Sequence, residues 1–195
     1  FSAVFGNDQY PLVIDAPAGI FNETSFGSQY PGNPALFPIF PAVEDDSWLT
    51  IGLDAPAVSA DGEALPSLVQ DAALTPTISE FFTTDGATSL NVNTLTGGSW
   101  YVLNTATNAL PSDGRWLIAQ ITTAGDLSGT LNGQIFPLGV GADQVQITWH
   151  FEDGEVVIPC DGIVDECGVC DGSGIAEGTC DCDGNVEDAL GICGG

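Results

Sequence analysis

All six cysteines of the chain fall between Cys160 and Cys193, in a stretch made largely of Asp, Glu and Gly with few large apolar side chains. Such a segment cannot offset its own ordering entropy by burial, so it holds a shape only if covalent or metal staples supply the difference. The even set Cys160, Cys167, Cys170, Cys180, Cys182 and Cys193 reads as a disulfide framework formed in an oxidising compartment. Zinc is the rival reading, because Cys167-Gly-Val-Cys170 has a ligand-like spacing. The stretch holds no His, however, and its thiols do not divide into two such pairs. The sequence therefore separates into a larger module over residues 1–158 and a small disulfide-rich tail over 159–195, the tail with little secondary structure.

The tail repeats itself. Cys160-Asp-Gly-Ile-Val-Asp-Glu-Cys-Gly-Val-Cys170-Asp-Gly aligns with Cys182-Asp-Gly-Asn-Val-Glu-Asp-Ala-Leu-Gly-Ile-Cys193-Gly-Gly after one inserted residue, a period of about 22 residues. If equivalent cysteines pair equivalently, the bonds are Cys160 to Cys170, Cys182 to Cys193 and Cys167 to Cys180, one of many connectivities that such a set permits. Asp161, Asp165, Asp171, Asp181, Asp183, Asn185, Glu187 and Asp188 place oxygen donors in Gly-rich surroundings. With backbone carbonyls they are candidate ligands for calcium, which takes about six to eight oxygens. The spacing is not that of an EF-hand, whose Gly and terminal Glu fall elsewhere. The plainer alternative is a solvated acidic linker held by its disulfides alone.

Charge narrows the partners. One Arg, no Lys and 27 acidic residues give a formal charge of −26, which repels phosphate backbones and anionic lipid headgroups. Neither nucleic acid nor membrane insertion is expected, and no apolar run reaches the roughly 18 residues of a membrane span. A fold with this imbalance dilutes its self-repulsion through high ionic strength or bound divalent cations, and both point outside a cell. The chain opens on Phe1 and contains no Met, so it reads as a processed product or one unit excised from a longer polypeptide. The expected location is extracellular, at a cell or virion surface.

The first 151 residues read as short strands separated by Gly, Pro, Asn and Asp clusters. Strands are predicted at 2–5, 11–15, 48–53, 74–78, 89–92, 99–104, 115–123, 126–136 and 144–151, with one helical turn at 66–73. In Val145-Gln-Ile147-Thr-Trp149-His-Phe151 the large apolar residues alternate, so they share a core face and His150 points to solvent. Segments 115–123 and 126–136 read as a hairpin around Thr123-Ala124-Gly125-Asp126. The second carries Gly on the same face as its Leu and Ile, which predicts close approach by a neighbouring segment. The expected fold is all-β, an antiparallel β-sandwich of jelly-roll type, followed by the tail.

Candidate sites in this module are few. Trp48, Trp100, Trp116 and Trp149 lie in predicted strands as core anchors, with a sugar-stacking platform as the alternative. The stretch from Gly19 to Val43 exceeds ordinary loop length and carries Phe21, Phe26, Tyr30, Phe37 and Phe40, so it packs on its own sheet or on a neighbouring subunit. Asn22-Glu-Thr is a glycosylation sequon at Asn22. The sole His150 has no nucleophile motif beside it, there is no P-loop, and Glu44-Asp45-Asp46 reads as a turn and solvated strand start rather than a glycosidase pair. No enzymatic activity is expected.

Asp165-Glu-Cys-Gly-Val-Cys-Asp-Gly-Ser-Gly174 resembles the Asp-Glu-Cys-Gly-Val-Cys-Gly-Gly repeats of large secreted proteins from marine bacteria, algae and their viruses, which are distantly similar to thrombospondin type 3 repeats. Segments 46–56 and 116–126 are similar to the β modules that accompany them. The resemblance implies an extracellular setting and calcium, although the dense Asp ladder of thrombospondin is missing. The expected function is a structural subunit of an extracellular filament, hair or surface appendage, partnered by copies of itself or neighbouring modules. The alternative is a calcium-dependent carbohydrate-binding or adhesion module with a polysaccharide partner.

Overall fold

The computed structural model describes residues 3–112, 115–136, 141–153, 155–157, 174–175, 178–182, 184–186, 191 and 193–194. The chain divides into two compact units, Phe1–Val156 and Val157–Gly195. Among the described residues no helix is long and apolar enough to cross a membrane.

The first unit is all-β in the antiparallel manner expected. Its strands are β1 (Ala3–Gly6), β2 (Leu12–Asp15), β3 (Trp48–Leu49), β4 (Ser67–Gln70), β5 (Ser89–Val92), β6 (Gly98–Tyr101), β7 (Ala119–Gln120), β8 (Ser128–Ile135), β9 (Val145–Glu152) and β10 (Glu155–Val157), and among the described residues they are joined by one α-helix, α1 (Ile78–Phe81), and short 3-10 turns. Eight strands form one sheet in the order β10-β9-β8-β1-β6-β4, to which β2 and β5 attach beside β8, while β3 and β7 form a separate ribbon.

The long strand β8 organises the sheet. Along one edge it pairs in full with β9, from Ser128 with Glu152 to Ile135 with Val145. Along the other it pairs first with β2 and then with β1, at Val13 with Thr130 and Phe5 with Asn132. Strands β1 and β2 are thus one line broken by a detour over residues 7–11. The line beyond them is broken at the same level, because Gly6 pairs with Gly98 while Leu12 pairs with Val92, leaving a matching detour over 93–97.

Direct cross-strand partners share a face, so Val4, Leu12, Ile14, Leu90, Val92 and Trp100 converge on one side. All are at most 1% exposed. This side is covered by Leu49 of the ribbon and Ile51 just after it, by Ile78, Phe81 and Phe82 at the helix, and by Ile20 and Leu74. Phe82 meets Phe81 and Trp100 edge to face at 5.2 and 6.3 Å. Each such buried side chain contributes about 1.5–3 kcal/mol. Trp100 donates its indole N–H to the carbonyls of Thr50 and Ile118 at 3.1 and 3.2 Å, tying the sheet to the ribbon. The second layer expected of a sandwich is, among the described residues, this ribbon with α1 and loops. The opposite face is mostly polar, with Thr130 Oγ1 against His150 Nδ1 at 2.9 Å and Thr148 donating to Asn132 at 2.8 Å.

Several sequence expectations shift. Segment 66–73 is not helical; it contains β4, which pairs with β6. Segment 74–78 is not a strand; α1 begins at its end, with a capping box between Thr77 and Glu80. The hairpin of 115–123 with 126–136 does not form, because both edges of β8 are already occupied and β7 pairs with β3 instead. The close approach predicted for the glycines of β8 is found at Gly129, where a Cβ would meet the Phe151 ring at 2.8 Å.

Candidate functional site

In the second unit, Cys180 and Cys193 form a disulfide with their Cα atoms 5.7 Å apart, inside the usual range. The local chain explains it. The Cys180 N–H donates to Asn185 O at 2.7 Å, and Asp181 accepts from Asn185 N at 2.9 Å and from Asn185 Nδ2 at 2.7 Å. This corrects the pairing inferred from the repeat, since neither Cys182 to Cys193 nor Cys167 to Cys180 is compatible with it. Repeat alignment matched Cys182 with Cys160, whereas the fold of 180–185 brings Cys180 to Cys193. Cys182 is also disulfide-bonded. Cys160, Cys167 and Cys170 lie outside the described residues.

Of the expected calcium ligands, Asp181 and Asn185 are described, and Asp161, Asp165, Asp171, Asp183, Glu187 and Asp188 lie outside the described residues. Asp181 groups with the sulfurs of Cys180 and Cys193 within 4.8 Å. Those sulfurs are bonded to each other, so they are not thiolate ligands, and both Asp181 oxygens already accept from Asn185. These two side chains by themselves fall short of a calcium shell.

In the first unit, Asn22 is 2% exposed. Its Nδ2 donates to the carbonyls of Phe81 and Thr84 at 3.0 and 2.7 Å. A glycan on that nitrogen is incompatible with this fold, which withdraws Asn22 as a glycosylation site. Its neighbours form an unforeseen acidic cradle. Asp46, read from sequence as solvated, is 1% exposed. It accepts from Glu23 N at 2.8 Å and Ser28 N at 3.0 Å. Burial pushes its carboxyl above the usual carboxylate range, against those N–H groups, which favour the charged form. Glu23 accepts from the backbone N–H groups of Phe26, Gly27 and Ser25, and these, Phe26 foremost, hold its carboxyl below the usual range. A Cβ at Gly27 would run into Glu23 O and Asp46 Oδ2. That glycine was the available sequence signal.

The cradle shapes the long loop. Ile20 and Val43 are 1% exposed, and Tyr30 packs against the core. Phe26, Ile39 and Phe40 instead remain 51%, 70% and 36% exposed, with the Phe26 and Phe40 rings 4.1 Å apart. Trp48 and Trp100 are buried anchors as expected, whereas Trp116, which donates to Ala109 O at 3.1 Å, and Trp149 are half-buried. His150 is half-buried rather than free in solvent, held by Thr130.

Sequence reasoning also missed a groove of about 410 Å³ lined by Gly52, Asp54, Leu110, Ser112, Arg115 and Leu117. Ser112 and Arg115 exchange both backbone hydrogen bonds, at 3.0 and 2.9 Å. Among the described residues no hydrogen bond or ion pair engages the Arg115 guanidinium. The signal was present in composition, as the lone cation among 27 acidic residues. A second groove of about 410 Å³ lies along Gly19, Asp85, Gly86, Thr122 and Thr123.

Compared with known proteins, the chain matches no protein-family model, no curated protein and no solved structure.

Proposed function

We propose that this chain is a structural repeat unit of an extracellular filament, hair or surface appendage. In this reading the β unit makes the contacts between copies, and the disulfide-stapled tail is a connector that binds calcium. The observation that carries it is the exposure of Phe26, Ile39 and Phe40 in one loop of a strongly acidic chain. Apolar side chains gathered at a surface mark an interaction site. The Cys180–Cys193 bond fits an oxidising exterior, and the resemblance of segment 165–174 to repeats of secreted proteins supports the same setting.

The test is negative-stain microscopy and sedimentation of the full chain in calcium-containing buffer at marine ionic strength. Ordered polymers are expected; a monomer at every concentration would refute the proposal. A calcium-dependent polysaccharide-binding role is the second reading, favoured by the groove whose rim presents Asp85, Thr122 and Thr123. Retention on a glycan array that disappears with chelator, without polymer formation, would select it.

A further inference from the structure

We propose that the groove around Arg115 receives segment 39–45 of a second copy of this chain. The inference rests on the self-assembling role proposed above and names its interface. Arg115, whose guanidinium has no partner among the described residues, lines the groove together with two exposed leucines, Leu110 at 69% and Leu117 at 41%, and with Asp54. Its complement is a carboxylate flanked by apolar side chains. Segment 39–45 offers that combination: Ile39 and Phe40 are exposed, and Glu44 and Asp45 expose their carboxylates shortly after.

Both surfaces are held ready. The carbonyls of Glu44 and Asp46 accept from Gln120 Nε2 at 2.9 and 2.8 Å, and Glu44 N donates to Pro41 O at 3.0 Å, so the acidic side chains project from a fixed backbone. On the other side, Trp116 is tied to Ala109 and Arg115 to Ser112, so the groove wall is fixed before docking. Preorganised surfaces lose less entropy on association. In a chain of charge −26, each copy repels its neighbours except where its one cation lies. A charged pair flanked by apolar contact therefore selects both the site and the orientation of approach.

A charge swap tests this with full chains, read by sedimentation velocity and microscopy. Arg115→Glu alone and the double variant Glu44→Arg, Asp45→Arg alone should each need about tenfold higher concentration to assemble than wild type. The mixture of the two should assemble again, because each groove then meets a segment of opposite charge. Thermal melting of each variant should match wild type, which separates docking from folding. Assembly of Arg115→Glu at the wild-type concentration overturns the inference and leaves the polymer reading standing. So does failure of the mixture to recover. A wild type that never assembles overturns both readings.

Discussion

Asn132 is 2% exposed, and both ends of its amide are in use. Its Nδ2 reaches the carbonyls of Tyr10, Pro11 and Phe5 at 2.9, 3.0 and 3.3 Å, and its oxygen accepts from Thr148. The side chain thereby anchors the detour between β1 and β2 to the long strand β8. Truncation in Asn132→Ala leaves carbonyls near the sheet without a donor and should cost about 1–3 kcal/mol, seen as a lower urea midpoint with an unchanged slope. Asp46 makes the pH dependence two-sided. Its carboxyl titrates above the usual range, so the folded state binds its proton more readily, and stability should rise as pH falls through that raised value. Glu23, Asp71 and Glu80 are shifted the other way. Phe26 N–H acts foremost on Glu23, Ala73 N–H on Asp71 and Thr77 N–H on Glu80, and stability is lost as pH falls through their lowered values. Melting temperature should therefore climb on mild acidification and drop on strong acidification. Asp46→Asn should abolish the climb, because an amide at this position no longer titrates.

At the scale of elements, alternation and turn residues carried most of the sheet. Segment 89–92 is β5 as read, and β1, β2, β6, β8 and β9 fall within a few residues of their expected bounds, since each is a pleated run with one buried face. What failed were short segments whose conformation is decided by a partner distant in sequence. Leu68 lies opposite Trp100 and β4 is a strand for that reason, although Pro66 suggested a helix start. The capping box at Thr77 and Glu80 was legible, but Leu74 and Ile78 masked it as a strand. Of the candidate site, the cysteines and acidic residues were legible as a class, whereas the Cys180 partner was not, because repeat symmetry carries no distance information. Gly129 offers a clean test of packing. It lies opposite Phe151 in the β8–β9 ladder and beneath that ring. Gly129→Ala should destabilise by about 1–3 kcal/mol through overpacking against the Val13 carbonyl and the Phe151 ring, measured by thermal melting.

At the scale of the whole molecule, two compact units differ in what holds them. The first has a continuous apolar core; the second contains a cross-link and turn hydrogen bonds. Reduction should therefore make the tail protease-sensitive while the cooperative melt of the β unit persists, and on the calcium-binding role proposed above a chelator should do the same. Loss of that melt under either treatment would contradict the division. Native mass spectrometry should find no alkylatable thiol, in keeping with the absence of free cysteines among the described residues. The paired detours over 7–11 and 93–97 have a further consequence. Both lines leave the ladder and rejoin it at matching levels, so chain length added at the tip near Leu95, itself 84% exposed, changes no strand pairing on either side. A peptide spliced into that tip should therefore leave the register of the sheet beneath unchanged, with an unaltered cooperative melt as the check.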